Sequence, residues 1–485
     1  MSERQSLLKS KLFWVGILYF AQGFPFGVFY DVLPVHFRQQ GVDLREIGFL
    51  SLLGLAWTVK FLWAPAVDYY RHHRRWMLAV DLAMGACLLY LSMQAGFGPP
   101  VWVAIGLFTL LSATNDIAID GYTIELLEKN ELGLANGVRN GMARVGILTA
   151  GLVLIMSDLL GWPGAYLLAA GIIGLMGVVC QYAPRERPVA VAKQRLFLLR
   201  LLLAALALVL TGYAIQFSVR QGLEEIAAMH SAMANGVAVI VTVLLMAAAA
   251  SLWLRRGAAH ATSAPVVSAP LIGALTEMLK RPYILPVMLF VLTFKLGDAA
   301  MGFMVKPYWV DSGFSATQIG LVSVNLGLIL SIAGGLAGGW FTDRAGIFKA
   351  LWVLGLFQAV SNLGYVWAAS VVPLGAAGTP IAIEHQLLMY SASALESFTG
   401  GLGTAAFLAF LMSIVDQRYS AAEYALLSSL FALTRHLAGF ASGYGVHYLG
   451  YVDYFLLTFF LSFPAYLLLP WVRKTLGADG ARTKK

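Results

Sequence analysis

Apolar runs of about twenty residues recur along the whole 485-residue chain, separated by short polar turns. At about 1.5 Å per residue, a run of that length crosses the ~30 Å hydrocarbon core of a bilayer as one helix. Six runs fall at roughly 12–35, 46–66, 76–95, 101–124, 134–158 and 163–183, and six more at roughly 283–307, 316–341, 347–370, 382–414, 421–447 and 451–472. Two further runs, 196–218 and 232–255, lie between the sets and lead into an Ala/Ser/Pro-rich linker at 257–270. The pattern predicts an all-α integral membrane protein with fourteen transmembrane helices. Its expected divisions are an N-terminal six-helix bundle (1–190), two extra helices with a linker (191–270) and a C-terminal six-helix bundle (271–485).

The outer sets repeat one another in parallel orientation. Gly41–Ser51 reads GVDLREIGFLS and Gly313–Ser323 reads GFSATQIGLVS, each at the junction of the first and second helix of its set. At the next turn of each set an acidic residue precedes basic ones: Asp68 with Arg71, Arg74 and Arg75, and Asp343 with Arg344 and Lys349. Parallel repeats about an axis along the membrane normal, with substrate at their interface near the midplane, describe the major facilitator architecture. The recurring Asp and Arg suggest a cytoplasmic gate, locked by charge-assisted hydrogen bonds that break as the halves rock. A plainer alternative makes these residues solvated anchors, and it is the reading given to His72 and His73 as exposed loop histidines.

Composition agrees with the spans: 59% of residues are hydrophobic and 12% charged, against about 25% charged in soluble domains. The net charge of +8 invites a nucleic-acid reading, but about 23 of the 33 Lys and Arg fall on one alternating set of loops and termini and about four on the other. That is the positive-inside bias. It places both termini in the cytoplasm, with Arg473, Lys474, Arg482, Lys484 and Lys485 at the tail, and calls for no polyanionic partner. The first apolar run is too long for a signal-peptide core and reads as a retained helix. Cys87 and Cys180 sit inside apolar helices, which argues against a disulfide framework and a metal cluster.

Candidate chemistry lies in nine ionisable residues deep inside spans: Lys60, Asp116, Asp120, Arg139, Arg144, Lys295, Asp298, Glu396 and Arg435. Each charge near the bilayer centre costs about 2.5 to 3.5 kcal/mol, so the set must be paired or hydrated, and the default reading is a transport pathway. Counting residues from the helix ends puts Asp116 and Arg139 at similar height, as partners, and Asp120 nearer the cytoplasmic surface in a gate. Glu396 is expected to pair with Arg435, and Asp298 with Lys295 at i, i+3 spacing. Arg144 and Lys60 are then left without a protein carboxylate. A surplus of midplane cations favours an anionic substrate held by Lys60, Arg144, Lys295 and Arg435, with Gln22, Tyr30 and Asn115 completing the binding set. Asp116, Glu396 and Asp298 are the proton-coupling candidates: a substrate that borrows a cation leaves its carboxylate to take up a proton. The alternative for Lys295 and Asp298 is a structural pair. Asp68, Arg75, Asp120, Arg139, Asp343 and Arg344 form the gate set.

Gly23, Pro25 and Gly27 in the first helix and Gly400, Gly401 and Gly403 in the tenth either interrupt cavity-lining helices or allow close helix packing. Tyr19, Tyr30, Trp57 and Tyr122 can stack on sugar rings, or act as interfacial anchors. In the central pair Arg200 is the only internal charge, which suggests a peripheral scaffold.

KFLWAPAVD (Lys60–Asp68), NDIAID (Asn115–Asp120), FKLGDA (Phe294–Ala299) and SFTGGLGTAAFLAFLM (Ser397–Met412) resemble the AmpG-type muropeptide permeases of Gram-negative bacteria. KFLWAP also resembles the related acetyl-CoA transporters, and AQGFPFGVFYDVLPV in the first helix is similar to siderophore permeases. The resemblance implies proton-driven import of anhydromuropeptides, GlcNAc-anhydroMurNAc carrying a short peptide, across the inner membrane for cell-wall recycling. It implies no cofactor besides the proton motive force, an anionic glycopeptide as substrate, the lipid bilayer as surroundings and a monomer. Import of a siderophore or another carboxylated molecule is the alternative. A membrane-embedded enzyme would need converging nucleophile, base or metal ligands, and a receptor would need a sizeable soluble domain; neither pattern occurs in the sequence.

Overall fold

The computed structural model describes residues 10–60, 63, 64, 67, 72–94, 96–127, 132–184, 278, 281–375, 380–415 and 420–482. The central pair of helices and Asp68 lie outside the described residues. Every regular element among these residues is helical. We label them α1 (Lys11–Gln39), α2 (Leu44–Leu53, continued by Leu55–Val59), α3 (His73–Ser92) and α4 (Pro99–Leu126). Helix Leu132–Cys180 turns back at Gly161 to give α5 (132–160) and α6 (162–180). In the second set α7 is Ile284–Asp311, α8 Ala316–Ala345, α9 Ile347–Val371 and α10 Ile383–Ser413. Helix Ser420–Leu461 turns at Gly450 into α11 (420–449) and α12, which resumes at Pro464–Arg482. Among the described residues nine helices are long and apolar enough to span a membrane. Two of these nine double back and so supply eleven crossings, and the broken α2 makes twelve.

The repeat read from the sequence has a backbone counterpart. Gly41 and Gly313, which open the two repeated strings, both take positive φ, +78° and +86°, a conformation that costs glycine least. Two residues later, Asp43 opens α2: its carboxylate accepts from the Arg45 backbone N–H at 2.8 Å and from Arg45 Nε at 2.9 Å. The Arg45 guanidinium holds this carboxyl below the usual carboxylate range. Ser315 stands at the matching position before α8. The turns at Gly161 and Gly450 match as well, with φ of +69° and +75°.

Two compact units result. One comprises Met1–Val42, Leu53–Ala247 and Ala316–Leu321, the other Asp43–Leu52, Ala248–Ser315 and Val322–Lys485. Within the first, α1 packs on α5 with backbones nearly touching: a methyl group at Gly23 would stand 2.0 Å from the Ala143 carbonyl oxygen. Its core gathers Trp14, Leu18, Met77, Ile117, Tyr122 and Cys180. Near the end of α1, His36 meets the Tyr166 hydroxyl at 2.7 Å, and Trp162 Nε1 donates to Gln39 at 3.0 Å. Within the second unit, α8 packs on α10 in the same manner, with Gly334 facing the Phe398 carbonyl oxygen at 2.0 Å and Gly401 that of Ser331 at 2.2 Å, measured from the methyl each would carry. The glycines at 23, 27, 401 and 403 therefore serve close approach, the plainer of the two readings. Helix α1 runs past Pro25 without a break and widens only at a π turn, Val28–Val32.

Candidate functional site

In the first unit three helices bring their charges together and a fourth, α1, adds a hydroxyl. Lys60, at the end of α2, donates to Asp116 Oδ2 at 3.3 Å and lies 3.7 Å from Asp120 Oδ2. Asp116 and Asp120 share a face of α4 at i, i+4 spacing, so one ammonium reaches both. Arg139 of α5 binds the other oxygen of Asp120 at 2.9 Å, and the Tyr19 hydroxyl of α1 donates to that oxygen at 2.5 Å. The guanidinium also lies over the Tyr19 ring, 4.5 Å from its centre, an added cation–π contact. Gln22, one turn further along α1, faces Asp116. The side chain of Lys60 is 30% exposed and that of Asp116 10%, which leaves the ammonium within reach of solvent or a ligand.

These contacts correct two expected pairings. Arg139 partners Asp120 rather than Asp116, and Lys60, expected to lack a protein carboxylate, has two. Residue counting along helices is accurate only to about a turn, and Asp116 and Asp120 are one turn apart. Asn115 points elsewhere, donating to Asp81 Oδ1 at 2.7 Å in the buried contact of α3 with α4. Arg144 is half-buried on α5, and among the described residues it forms no ion pair.

The second unit holds its charges on α7 and α10. Helix α7 breaks at Thr293, and Lys295 at the break donates to Asp298 at 3.1 Å, to Gln358 Oε1 of α9 at 2.8 Å and to the Gly400 carbonyl of α10 at 3.2 Å. An ammonium has three donors, and all three are used. Its side chain is only 5% exposed. A methyl group at Gly400 would lie 3.9 Å from both Asp298 Oδ2 and Glu396 Oε1, so the two carboxylates converge on one point. Glu396 accepts a hydrogen bond from Ser397 at 3.3 Å, with Asp298, Lys306 and Lys295 as its charged neighbours. The expected pair with Arg435 is not formed: among the described residues Glu396 has no ion-pair partner, because α10 turns it toward α7 rather than α11. Lys306 itself donates to Ser323 of α8 at 3.1 Å.

A model of the Major Facilitator Superfamily matches residues 15–442. The chain belongs to that superfamily. It is accordingly a multi-pass membrane transporter rather than an enzyme. The anhydromuropeptide permease of Escherichia coli (strain K12) is 27% identical over 475 residues, covering 95% of this chain and 79% of that protein. An uncharacterized protein of Haemophilus influenzae is 28% identical over 468 residues, covering 93% of this chain and 92% of the other. Among solved structures, a peptide transporter POT in complex with sulfate aligns with a TM-score of 0.65 at 12% identity, covering 97% of this chain and 95% of that one. A bacterial homologue of the human lysosomal transporter Spinster gives 0.63 at 12% identity, covering 98% of each chain. These structural likenesses establish the fold of a major facilitator protein and nothing finer.

Within this major facilitator fold the gate residues are placed as follows. Arg75, Asp343 and Arg344 are exposed, and Arg344 stacks on its own helix neighbour Trp340, 4.5 Å from the ring centre. Asp343 and Arg75 enter no ion pair among the described residues. His73, expected in an exposed loop, is instead 2% exposed at the start of α3, 3.7 Å from Glu125. Tyr122, one of the aromatics considered for stacking, donates to the Pro184 carbonyl at 2.8 Å.

Three charged groups escaped the sequence reading, two of them buried carboxylates. Asp81 lies in α3 at 1% exposure, with its Oδ2 lacking a hydrogen-bond partner among the described residues. Glu423 is fully buried and paired with Arg281, which also donates to the Ile414 carbonyl. Lys306, already placed beside Glu396, is the third. Glu423 and Arg281 stand near span ends, where a charge reads as a loop anchor. Asp81 gave a usable signal, a carboxylate in an otherwise apolar run, of the same kind that singled out the other nine.

Proposed function

We propose that this transporter imports anhydromuropeptides from the periplasm to the cytoplasm across the bacterial inner membrane by proton symport, with both termini cytoplasmic. The observation that carries the reading is Glu396: a carboxylate in a membrane span without an ion-pair partner among the described residues, converging with Asp298. A charge without an ion pair in hydrocarbon is costly, and in this reading a proton neutralises Glu396, which forms no ion pair among the described residues. Asp298, held by Lys295, keeps a second negative charge beside Glu396 and favours the proton there. Lys295 acts in this scheme as an anchor, since its donors are all engaged.

On the substrate side, Lys60 and Arg144 supply the positive charge. A carboxylate of the glycopeptide that engages Lys60 competes with Asp116, and Asp116 then takes a proton in place of its lost partner. Arg144 offers the planar fork suited to a carboxylate. The likeness of 95% of this chain to a protein named anhydromuropeptide permease supports this substrate class. Inward proton movement down a membrane potential contributes about 2.3 kcal/mol per charge per 100 mV.

Radiolabelled GlcNAc-anhydroMurNAc-tripeptide, offered to right-side-out vesicles containing the protein, tests the proposal. Accumulation that an uncoupler abolishes is the expected result. Equal uptake with and without the uncoupler contradicts proton coupling, and the absence of uptake contradicts the substrate.

A further inference from the structure

The charged strip of the first unit continues into a cluster of aromatic rings. Phe26 and Tyr30 of α1 have ring centres 4.4 Å apart, and Trp57 of α2 lies 5.5 Å from Phe26 and 6.0 Å from Tyr30, inclined 32° to the latter. Phe29, which is fully buried, backs Trp57 at 5.3 Å. Phe26, Tyr30 and Trp57 are each partly exposed.

Two registers join this cluster to the charges. Trp57 and Lys60 are three residues apart in α2, about 4.5 Å along a helix and on the same face. Gln22 and Phe26 stand at i, i+4 on α1, and the π turn at Val28–Val32 carries Tyr30 into contact with the same rings. Charged faces of membrane helices look toward a bundle interior or a hydrated cavity rather than toward lipid. Aromatics contiguous with such a face share its exposure.

The repeat shows that these rings are not a requirement of the fold. Gly41 and Gly313 fix its register, and the same offset takes Phe26, Tyr30 and Trp57 to Asp298, Gly302 and Ile329. No aromatic stands at any of the three, and the π turn of α1 at Val28–Val32 has no counterpart in α7, which is α-helical over Leu296–Asp311. Something specific to the first unit selects them.

We infer that Trp57, Tyr30 and Phe26 form a sugar-binding platform on which a pyranose ring of the substrate stacks while a carboxylate of the attached peptide reaches Lys60. Aromatic faces present a large apolar surface at little entropic cost, and the axial C–H face of a pyranose is their natural complement. The separation of about 4.5 Å between Trp57 and Lys60 along α2 is close to the width of one sugar ring. The glycan is thereby read by the first unit. This inference rests on the proposed anhydromuropeptide substrate and assigns a place to one part of it.

Competition in vesicles tests it. Uptake of radiolabelled GlcNAc-anhydroMurNAc-tripeptide is measured against unlabelled GlcNAc-anhydroMurNAc lacking the peptide, for the natural protein and for Trp57→Leu, Trp57→Phe and Tyr30→Leu. Expected is that the disaccharide inhibits the natural protein, that either leucine variant raises its half-inhibitory concentration about tenfold, and that Trp57→Phe retains most of the inhibition. Each inhibition curve is normalised to the variant's own uptake, so a lower membrane content does not move it. Where one leucine variant fails to insert, the other decides. Unchanged inhibition in the leucine variants, or a disaccharide that does not inhibit the natural protein, overturns the platform while leaving the proposed substrate in place. Absence of muropeptide uptake by the natural protein overturns both.

Discussion

Glu396 and Asp116 differ in what they touch, and that difference predicts different failures. Glu396 has no ion pair among the described residues, so Glu396→Gln removes a proton site without freeing a cation. Accumulation driven by an imposed pH gradient is expected to disappear, while exchange of labelled for unlabelled substrate persists. Asp116 holds Lys60 at 3.3 Å, and Asp116→Asn leaves that lysine to Asp120. Coupling is expected to be lost here too, with tighter substrate binding as the distinguishing sign, read as a lower KM for uptake. For Arg144, whose charge no carboxylate meets among the described residues, Arg144→Ala is expected to raise KM at least about tenfold, the equivalent of roughly 1.4 kcal/mol, at unchanged membrane content. At this scale the sequence was informative about which spans carry charges and poor about which of those charges touch. A carboxylate inside an apolar run is visible without coordinates. The choice between Asp116 and Asp120 as the partner of Arg139 depends on helix rotation and tilt, which spacing along one helix leaves open.

Helix packing accounts for several of the glycines, and two neighbours in α8 allow a sharp comparison. A methyl group at Gly334 would collide with the Phe398 carbonyl oxygen at 2.0 Å, whereas one at Gly335 meets no atom within 4 Å. Gly334→Ala forces α8 away from α10 and is expected to cost about 1 to 3 kcal/mol, as overpacking does. Gly335→Ala is expected to leave stability unchanged or slightly raised. Thermal unfolding in detergent, followed by the loss of monodisperse protein, reads both. Helix lengths and order were legible from apolar runs, because a bilayer fixes the length of a span. The break in α7 at Lys295 and the π turn in α1 were not, since each depends on where a neighbouring backbone or side chain intrudes.

The internal repeat carried the architecture. GVDLREIGFLS and GFSATQIGLVS announce the same turn twice, and both open on glycine at positive φ, so the two-fold plan was legible before any comparison. The repeat also hid a difference: the first unit holds a cation shared by two carboxylates, and the second holds, at other positions of the repeat, a carboxylate pair beside an anchored lysine. The proposed function divides the labour accordingly, assigning the substrate's charge chiefly to Lys60 and Arg144 and the proton to Glu396. Reconstituted liposomes loaded with a pH-sensitive dye test this directly, because adding GlcNAc-anhydroMurNAc-tripeptide outside reports proton movement in the same event as substrate entry. The expected result is acidification of the lumen with the natural protein and none with Glu396→Gln. Substrate entry without acidification in the natural protein, or undiminished acidification in Glu396→Gln, would contradict it.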